Sequence, residues 1–108
     1  MFKFAEAMKE AMQLRSKLGK LQKQLKKIRV EGVSGGGMVK VIADGQQKIL
    51  KIEVSDELWQ TGDRKFLENL VLSAVNDALE KSRQAAQEEM KELLGMLPPG
   101  FDVGSLLG

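Results

Sequence analysis

The segment that decides the fold runs from residue 28 to residue 54 and reads IRVEGVSGGGMVKVIADGQQKILKIEV. Apolar and polar side chains alternate along three parts of it, and alternation with a period of two is typical of β-strands. The glycine run at 35–37 separates the first part from the second, and Asp44-Gly45, a strong hairpin signal, separates the second from the third. The pattern predicts an antiparallel meander that packs only one face on a helix, with strands at 28–33, 38–43 and 47–54.

Long helical patterns lie on both sides of this segment. On its N-terminal side, apolar residues recur at alternating intervals of three and four from Phe4 to Ile28, which predicts a heptad seam on a helix at 3–27. On its C-terminal side, a helical turn at 56–60 precedes Asp63, the predicted N-cap of a helix at 64–94. The predicted fold class is α+β, with one α-β-β-β-α domain at 1–94 and a tail at 95–108 that contains Gly and Pro.

The residue types that are missing restrict the chemistry. The 108 residues include no His and no Cys, which excludes Ser-His and Cys-His nucleophiles, thiolate chemistry and the usual zinc sites. The carboxylates are explained by caps, turns and solvated helix faces, and the glycine run lacks the ending of a phosphate-binding loop. We expect no enzyme activity, no cofactor, no metal site and no small-molecule substrate. Without a targeting signal or a long apolar stretch, we also expect a cytoplasmic protein with no membrane partner.

Charge is distributed unevenly along the chain. The net charge is +2, but residues 1–31 contain nine Lys or Arg and only three Glu. One stretch carries cations with no acid between them: Arg15, Lys17, Lys20, Lys23, Lys26, Lys27 and Arg29. Like charges at helical spacing repel one another, and a polyanion would supply the missing countercharge. Three interpretations stay open at this point: a nucleic-acid surface, a lysine-rich face that only maintains solubility, and a contact for an acidic protein.

If the partner is a nucleic acid, the composition favours duplex DNA. Lysines that wrap around a helix contact phosphates, which position a protein without specifying a base sequence. Recognition of single strands normally uses exposed aromatic side chains as stacking platforms. The aromatic residues of this chain are sparse and are better explained as core residues.

The lengths of the predicted elements indicate a homodimer. Strands of about six residues make a sheet only about 20 Å long, so both helices extend beyond it and leave apolar side chains in water. We expect the overhanging portions to pack across a two-fold axis. The cationic half of the first helix repels a copy of itself, so the last helix is its better neighbour. The residues predicted at this dimer interface are Phe4, Met8, Met12, Leu14, Leu93 and Leu94.

Three sequence segments together resemble the YbaB/EbfC family. They are VEGVSGGGMVKV at 30–41, LVLSAVNDAL at 70–79 and LPPGF at 97–101. The resemblance covers essentially the whole chain, and the first two motifs are fairly specific only in combination.

This resemblance implies a bacterial nucleoid-associated protein: a small cytoplasmic homodimer with an intertwined, tweezer-like body that binds duplex DNA with little sequence preference. It assigns DNA binding to basic residues on the long helices. The matching positions here are Arg15, Lys17, Lys20, Lys23, Lys26 and Lys27, with Lys81 and Arg83 as weaker candidates. In one departure, the last helix is net acidic beyond Ala85.

The main alternative is a protein-interaction or chaperone-like module, because two long helices that flank a hairpin also describe prefoldin subunits. Such a module would expose apolar side chains at its helix ends, here Phe2, Phe4, Leu93, Leu94, Leu97 and Leu106. A third hypothesis, an enzyme that uses carboxylates and a divalent ion, has little support in the sequence.

Overall fold

The computed structural model describes residues 2–95, with the side chain of Phe2 left out. Two long helices flank a three-stranded antiparallel sheet of order β1-β2-β3, which confirms the predicted fold class. The elements are α1 (Phe2–Lys27), β1 (Val30–Ser34), β2 (Val39–Ala43), β3 (Ile49–Val54), α2 (Asp56–Gln60) and α3 (Arg64–Gly95). Most of the predicted tail, and with it Leu97 and Leu106, lies outside the described residues.

Two strands begin two residues later than their patterns predict. Ile28 precedes β1 and packs instead with the apolar side chains between α1 and α3, so its apolar character serves helix packing. Gln47 and Lys48 belong to the turn before β3, because the Asp44 carboxylate accepts the N–H groups of Gln46 and Lys48 at 2.8 and 3.1 Å. This turn is also attached to α3 through the Gln47 N–H, which donates to the Ser82 hydroxyl at 2.9 Å.

The main core lies between α3 and one face of the sheet. Val39, Val41 and Ala43 of the central strand β2 are fully buried against Ala74 and Ala78 of α3. The helix approaches β1 so closely that a Cβ atom added at Gly32 would lie 2.2 Å from the carbonyl oxygen of Ala74. Small residues on both elements therefore determine the distance between helix and sheet.

A second apolar cluster joins the two long helices. It contains Leu21 and Leu25 of α1 and Leu93 of α3, with Ala86 and Met90 packed beside them. Residues late in α1 thus lie beside residues near the end of α3, so the N-terminal half of α1 continues past α3. The result is an elongated chain with extents of 71 × 20 × 17 Å.

The helix ends follow their local sequence signals. Ser55 caps α2 by accepting the Leu58 N–H at 3.1 Å. The Asp63 carboxylate accepts the Phe66 N–H at 3.0 Å, as expected of the predicted N-cap of α3. Within residues 2–95, no helix combines the length and apolarity needed to cross a membrane.

Candidate nucleic-acid interface

The cations of α1 divide into two groups because only one side of the helix packs on α3. The buried residues of the helix are Leu14, Leu21 and Leu25, and the last two pack on Leu93 of α3. At about 100° per residue, five exposed cations point outward or to the edge of that contact, and we call them the outward cations: Arg15, Lys20, Lys23, Lys26 and Lys27. In the described part of the chain, their side chains form no hydrogen bond or ion pair, so all five charges are available to a partner.

Lys17 differs from the other predicted lysines. It is half-buried and lines a groove between the two helices, together with Lys20 of α1 and with Glu89 and Glu92 of α3. The position places it on the α3-facing side of α1, where a duplex resting on the outward cations cannot approach it directly. Lys17 is therefore a weaker candidate for phosphate contact than its neighbours along the sequence.

Arg29 closes the end of α1. Its Nη1 donates to the carbonyl oxygens of Lys26 and Ile28 at 2.7 and 2.9 Å. The last carbonyl groups of a helix lack partners within it, and a cation there also stabilises the helix dipole. The guanidinium thus has a structural role that the count of consecutive cations did not reveal.

Lys81 and Arg83 of α3 are held by acids of their own helix. The Lys81 ammonium pairs with Asp77 at 3.1 Å and donates to the carbonyl oxygen of Glu31 at 2.8 Å, so it fastens α3 to β1. Arg83 pairs with Glu80, and the guanidinium holds the pKa of that carboxyl below its usual range. Both cations are thus engaged by acids of α3, unlike the outward cations of α1.

The Asp77 carboxylate links the sheet and α3 in a way that should depend on pH. It accepts the Val33 N–H at 3.0 Å, and this hydrogen bond, followed by Lys81, lowers the pKa of Asp77. A carboxyl with a lowered folded-state pKa stabilises the fold above its ordinary pKa, and that stability is lost as pH falls through the folded-state value.

We expect Asp77→Asn to lower the urea midpoint at neutral pH and to reduce the loss of stability on acidification from about pH 5 to pH 2. Urea denaturation at several pH values measures both effects. Asp56→Asn is the matched control, because Asp56 is an exposed carboxylate that accepts no described hydrogen bond. Equal pH dependence in the two variants would contradict the expectation.

The residues predicted at a dimer interface fall into different environments. Phe4, Met8 and Met12 are exposed by 73, 51 and 68 %. In contrast, Leu14 and Leu93 are buried, and Leu93 packs on Leu21 and Leu25 of its own chain. Leu94 stays partly exposed, at 37 %.

The structure also shows an apolar surface that the sequence interpretation did not assign to an interface. Ile52 of β3 pairs with Val41 and so shares the face of the sheet that α3 covers, yet it is 48 % exposed. Leu50, at the irregularity in the pairing of β2 with β3, is 41 % exposed. A helix about 10 Å wide covers two strands spaced about 4.8 Å apart and leaves the middle of the third uncovered, while Ile49 and Val54 at its ends pack on the core. The alternation of Leu50, Ile52 and Val54 was the sequence signal from which this apolar surface could have been found. We call these three residues the sheet-end surface.

In the described part of the chain, no group of three acids could hold a metal ion. The cavities described there are shallow surface grooves, and one of them is lined by Leu58, Trp59 and Leu67 beside the start of α3. The basic face of α1 is consequently the feature with the clearest chemical meaning.

Comparisons with known proteins find DNA-binding and nucleoid-associated proteins. The model of the YbaB/EbfC DNA-binding family matches residues 1–97. A nucleoid-associated protein from Nitrobacter hamburgensis is 41 % identical over 103 residues, which is 94 % of this chain and 97 % of that protein. Another from Chlorobium luteolum is 39 % identical over 105 residues, covering 97 and 94 % of the two chains.

A solved structure supports the fold alone. The crystal structure of an uncharacterized protein from Helicobacter pylori superposes with a TM-score of 0.75 at 21 % sequence identity. The match covers 84 % of this chain and 96 % of the other.

Proposed function

This chain belongs to the YbaB/EbfC DNA-binding family, and we propose that it binds duplex DNA as a non-enzymatic, nucleoid-associated homodimer. The observation that carries the proposal is the outward face of α1, where five exposed cations lie without an acid from Arg15 to Lys27. Such a protein is expected in the cytoplasm on the nucleoid, where it organises or locally regulates the chromosome.

The arrangement of the outward cations supports contact with phosphates rather than with bases. Arg15 and Lys27 lie about 18 Å apart along the helix axis, a length over which B-DNA presents several phosphates. Four of the five cations are lysines, which act as point charges and do not form the bidentate contacts by which arginine identifies guanine. The proposed complex therefore has little sequence preference.

A second copy of the chain would cover the sheet-end surface. Leu50 and Ile52 are about half exposed, and Ile52 lies on the side of the sheet that otherwise forms the core. Burial of apolar surface stabilises a complex by about 25 cal/mol per Å2, so two such surfaces favour association. A homodimer built there brings about ten outward cations to one duplex.

We expect Ile52→Glu to yield monomers in sedimentation, because it places a charge in the contact between the two sheet-end surfaces.

Salt dependence tests the proposed phosphate contacts. Each neutralised phosphate lowers the slope of log affinity against log salt by about 0.9, so a dimer that uses all its outward cations would give a slope as steep as about −9. Titration of a fluorescent random-sequence duplex at several salt concentrations measures this slope, and a single strand of the same sequence serves as the comparison. Affinity that does not change with salt would overturn the proposal.

The exposed side chains at the start of α1 favour a second candidate function, the prefoldin-like module. Phe4, Met8 and Met12 could hold an unfolded client without contacting DNA. Suppression of aggregation of a heat-unfolded client, unaffected by loss of the outward lysines and accompanied by no DNA binding, would support this candidate over the first.

A further inference from the structure

The N-terminal turns of α1 carry a broad apolar face. Phe4, Met8 and Met12 follow one another at intervals of four residues, so they form one stripe along the helix. Helical spacing places three exposed alanines beside this stripe: Ala5, Ala7 and Ala11. We call these six residues the α1 tip surface.

This surface is far from the sheet-end surface. Ile52 lies level with the middle of α3 along the long axis. It pairs with Val41 of β2, and Val41 pairs with Gly32 of β1, which contacts Ala74 and Ala78 of α3. The α1 tip extends beyond the contact of Leu21 with Leu93, so the helical rise separates Met8 from Ile52 by roughly 40 Å along the long axis. The outward cations lie between the two surfaces.

A single two-fold contact is poorly suited to cover both surfaces. Two elongated chains laid side by side in opposite directions would bring their cationic stretches together near the axis. Seven consecutive cations without an acid in each chain would then repel one another. The two apolar surfaces are better explained by two separate contacts.

Charge favours another copy of this chain over a polyanion as the occupant of the α1 tip surface. The first turns of α1 carry two cations, Lys3 and Lys9, and two acids, Glu6 and Glu10, so this part of the helix is neutral. A polyanion gains nothing from a neutral segment that contains carboxylates, whereas two copies can pair there without the repulsion that the following cations impose.

The size of the surface indicates a weak contact. From their exposed fractions, Phe4, Met8 and Met12 offer roughly 400 Å2 per copy, so a pair buries roughly 800 Å2. Stable interfaces bury about 1,200 to 2,000 Å2. The contact would therefore form mainly when another interaction first concentrates the molecules.

We propose that the α1 tip surface joins neighbouring dimers bound to DNA, as a copy-to-copy contact separate from the sheet-end dimer. The DNA-bound state rests on the function proposed above, while the contact itself does not. Binding to long duplexes is cooperative as a result, and dimers on separate duplex segments bridge them through their α1 tips.

Cysteine cross-linking tests the contact directly, because the chain has no native Cys. In Met8→Cys, a short bis-maleimide should join two chains, with a several-fold higher yield when random-sequence duplex is present. Gln13→Cys lies on the other side of the same helix and is the matched control, expected to give little product. The Met8→Cys product should persist in an Ile52→Glu background, which weakens the sheet-end contact. Equal yields from Met8→Cys and Gln13→Cys, or no product, would overturn the proposal.

Cooperativity tests the consequence on DNA. Met8→Gln with Met12→Gln should bind a duplex long enough for one dimer within about twofold of the wild-type affinity, yet bind a long duplex with a Hill coefficient close to one. Leu72→Gln, which changes an exposed apolar residue of α3, is the control and should retain cooperativity. Retained cooperativity in the double variant would overturn the proposal. The proposal would also be overturned if the double variant no longer held an unfolded client and Met8→Cys gave no cross-link between copies. If the wild-type chain binds no DNA, the proposed function fails. Cross-linking of Met8→Cys at high protein concentration without DNA then still decides whether the copy-to-copy contact exists.

Discussion

We expect the replacement of Lys20, Lys23, Lys26 and Lys27 with Glu to abolish duplex binding at low salt, a loss of at least about 100-fold in affinity. The four side chains supply most of the outward charge of α1. Reversal removes four favourable phosphate contacts per copy and adds four repulsive charges. Because binding to phosphates releases counterions, any residual binding should also show a much shallower salt dependence. Fluorescence anisotropy with a random-sequence duplex measures both quantities.

The fold should tolerate this reversal, since the four side chains are exposed and form no described hydrogen bond or ion pair. Circular dichroism and sedimentation check that the secondary structure and oligomeric state are retained. Two double variants with the same change in net charge separate the effect of position from that of charge. Lys23→Glu with Lys26→Glu should lose far more affinity for the duplex than Lys48→Glu with Lys65→Glu. Equal losses would mean that α1 is not the contact surface.

The periodicity of the sequence predicted the elements well because their signals are local. The heptad seam, the strand alternation, the Asp44-Gly45 turn and the Asp63 cap each depend on residues close together in the chain. The mutual packing of helices and sheet depends on distances that no local pattern encodes. The uncovered β3 is one example, because the sequence shows an apolar face but not the limited width of the helix that packs on it.

The cationic stretch shows the same limit at the level of single residues. A strict heptad places Leu18 on the seam and Lys17 beside it. In the structure, Leu18 is 38 % exposed and Lys17 is half-buried, so the contact with α3 follows residues 17, 21 and 25. A helix of 3.6 residues per turn drifts by about 20° per heptad, and this drift decides which lysine faces α3. Arg29 was likewise counted with the lysines, although the end of α1 at Lys27 gives it a capping role.

Gly32 is the residue at which a single methyl group should have the largest effect on stability. A Cβ there would lie 2.2 Å from the carbonyl oxygen of Ala74, 2.4 Å from the backbone nitrogen of Ala78 and 2.8 Å from the Ala78 Cα. All three atoms belong to the backbone of α3, so no side-chain rotation relieves the overlap. The helix must move away from β1, and that displacement opens the core between α3 and Val41.

We therefore expect Gly32→Ala to lower the free energy of unfolding by at least about 3 kcal/mol, the range of severe core overpacking. Gly19→Ala is the matched control: the same substitution in α1, where an added Cβ meets nothing within 4 Å. Because Gly costs about 1 kcal/mol relative to Ala inside a helix, this variant should be more stable than wild type by about that amount. Urea denaturation at one fixed protein concentration compares the two variants with the concentration-dependent contribution from dimer dissociation held constant. Gly32→Ala within about 1 kcal/mol of wild type would show that α3 can yield at this contact, and the close approach of helix and sheet would then lose its importance for the core.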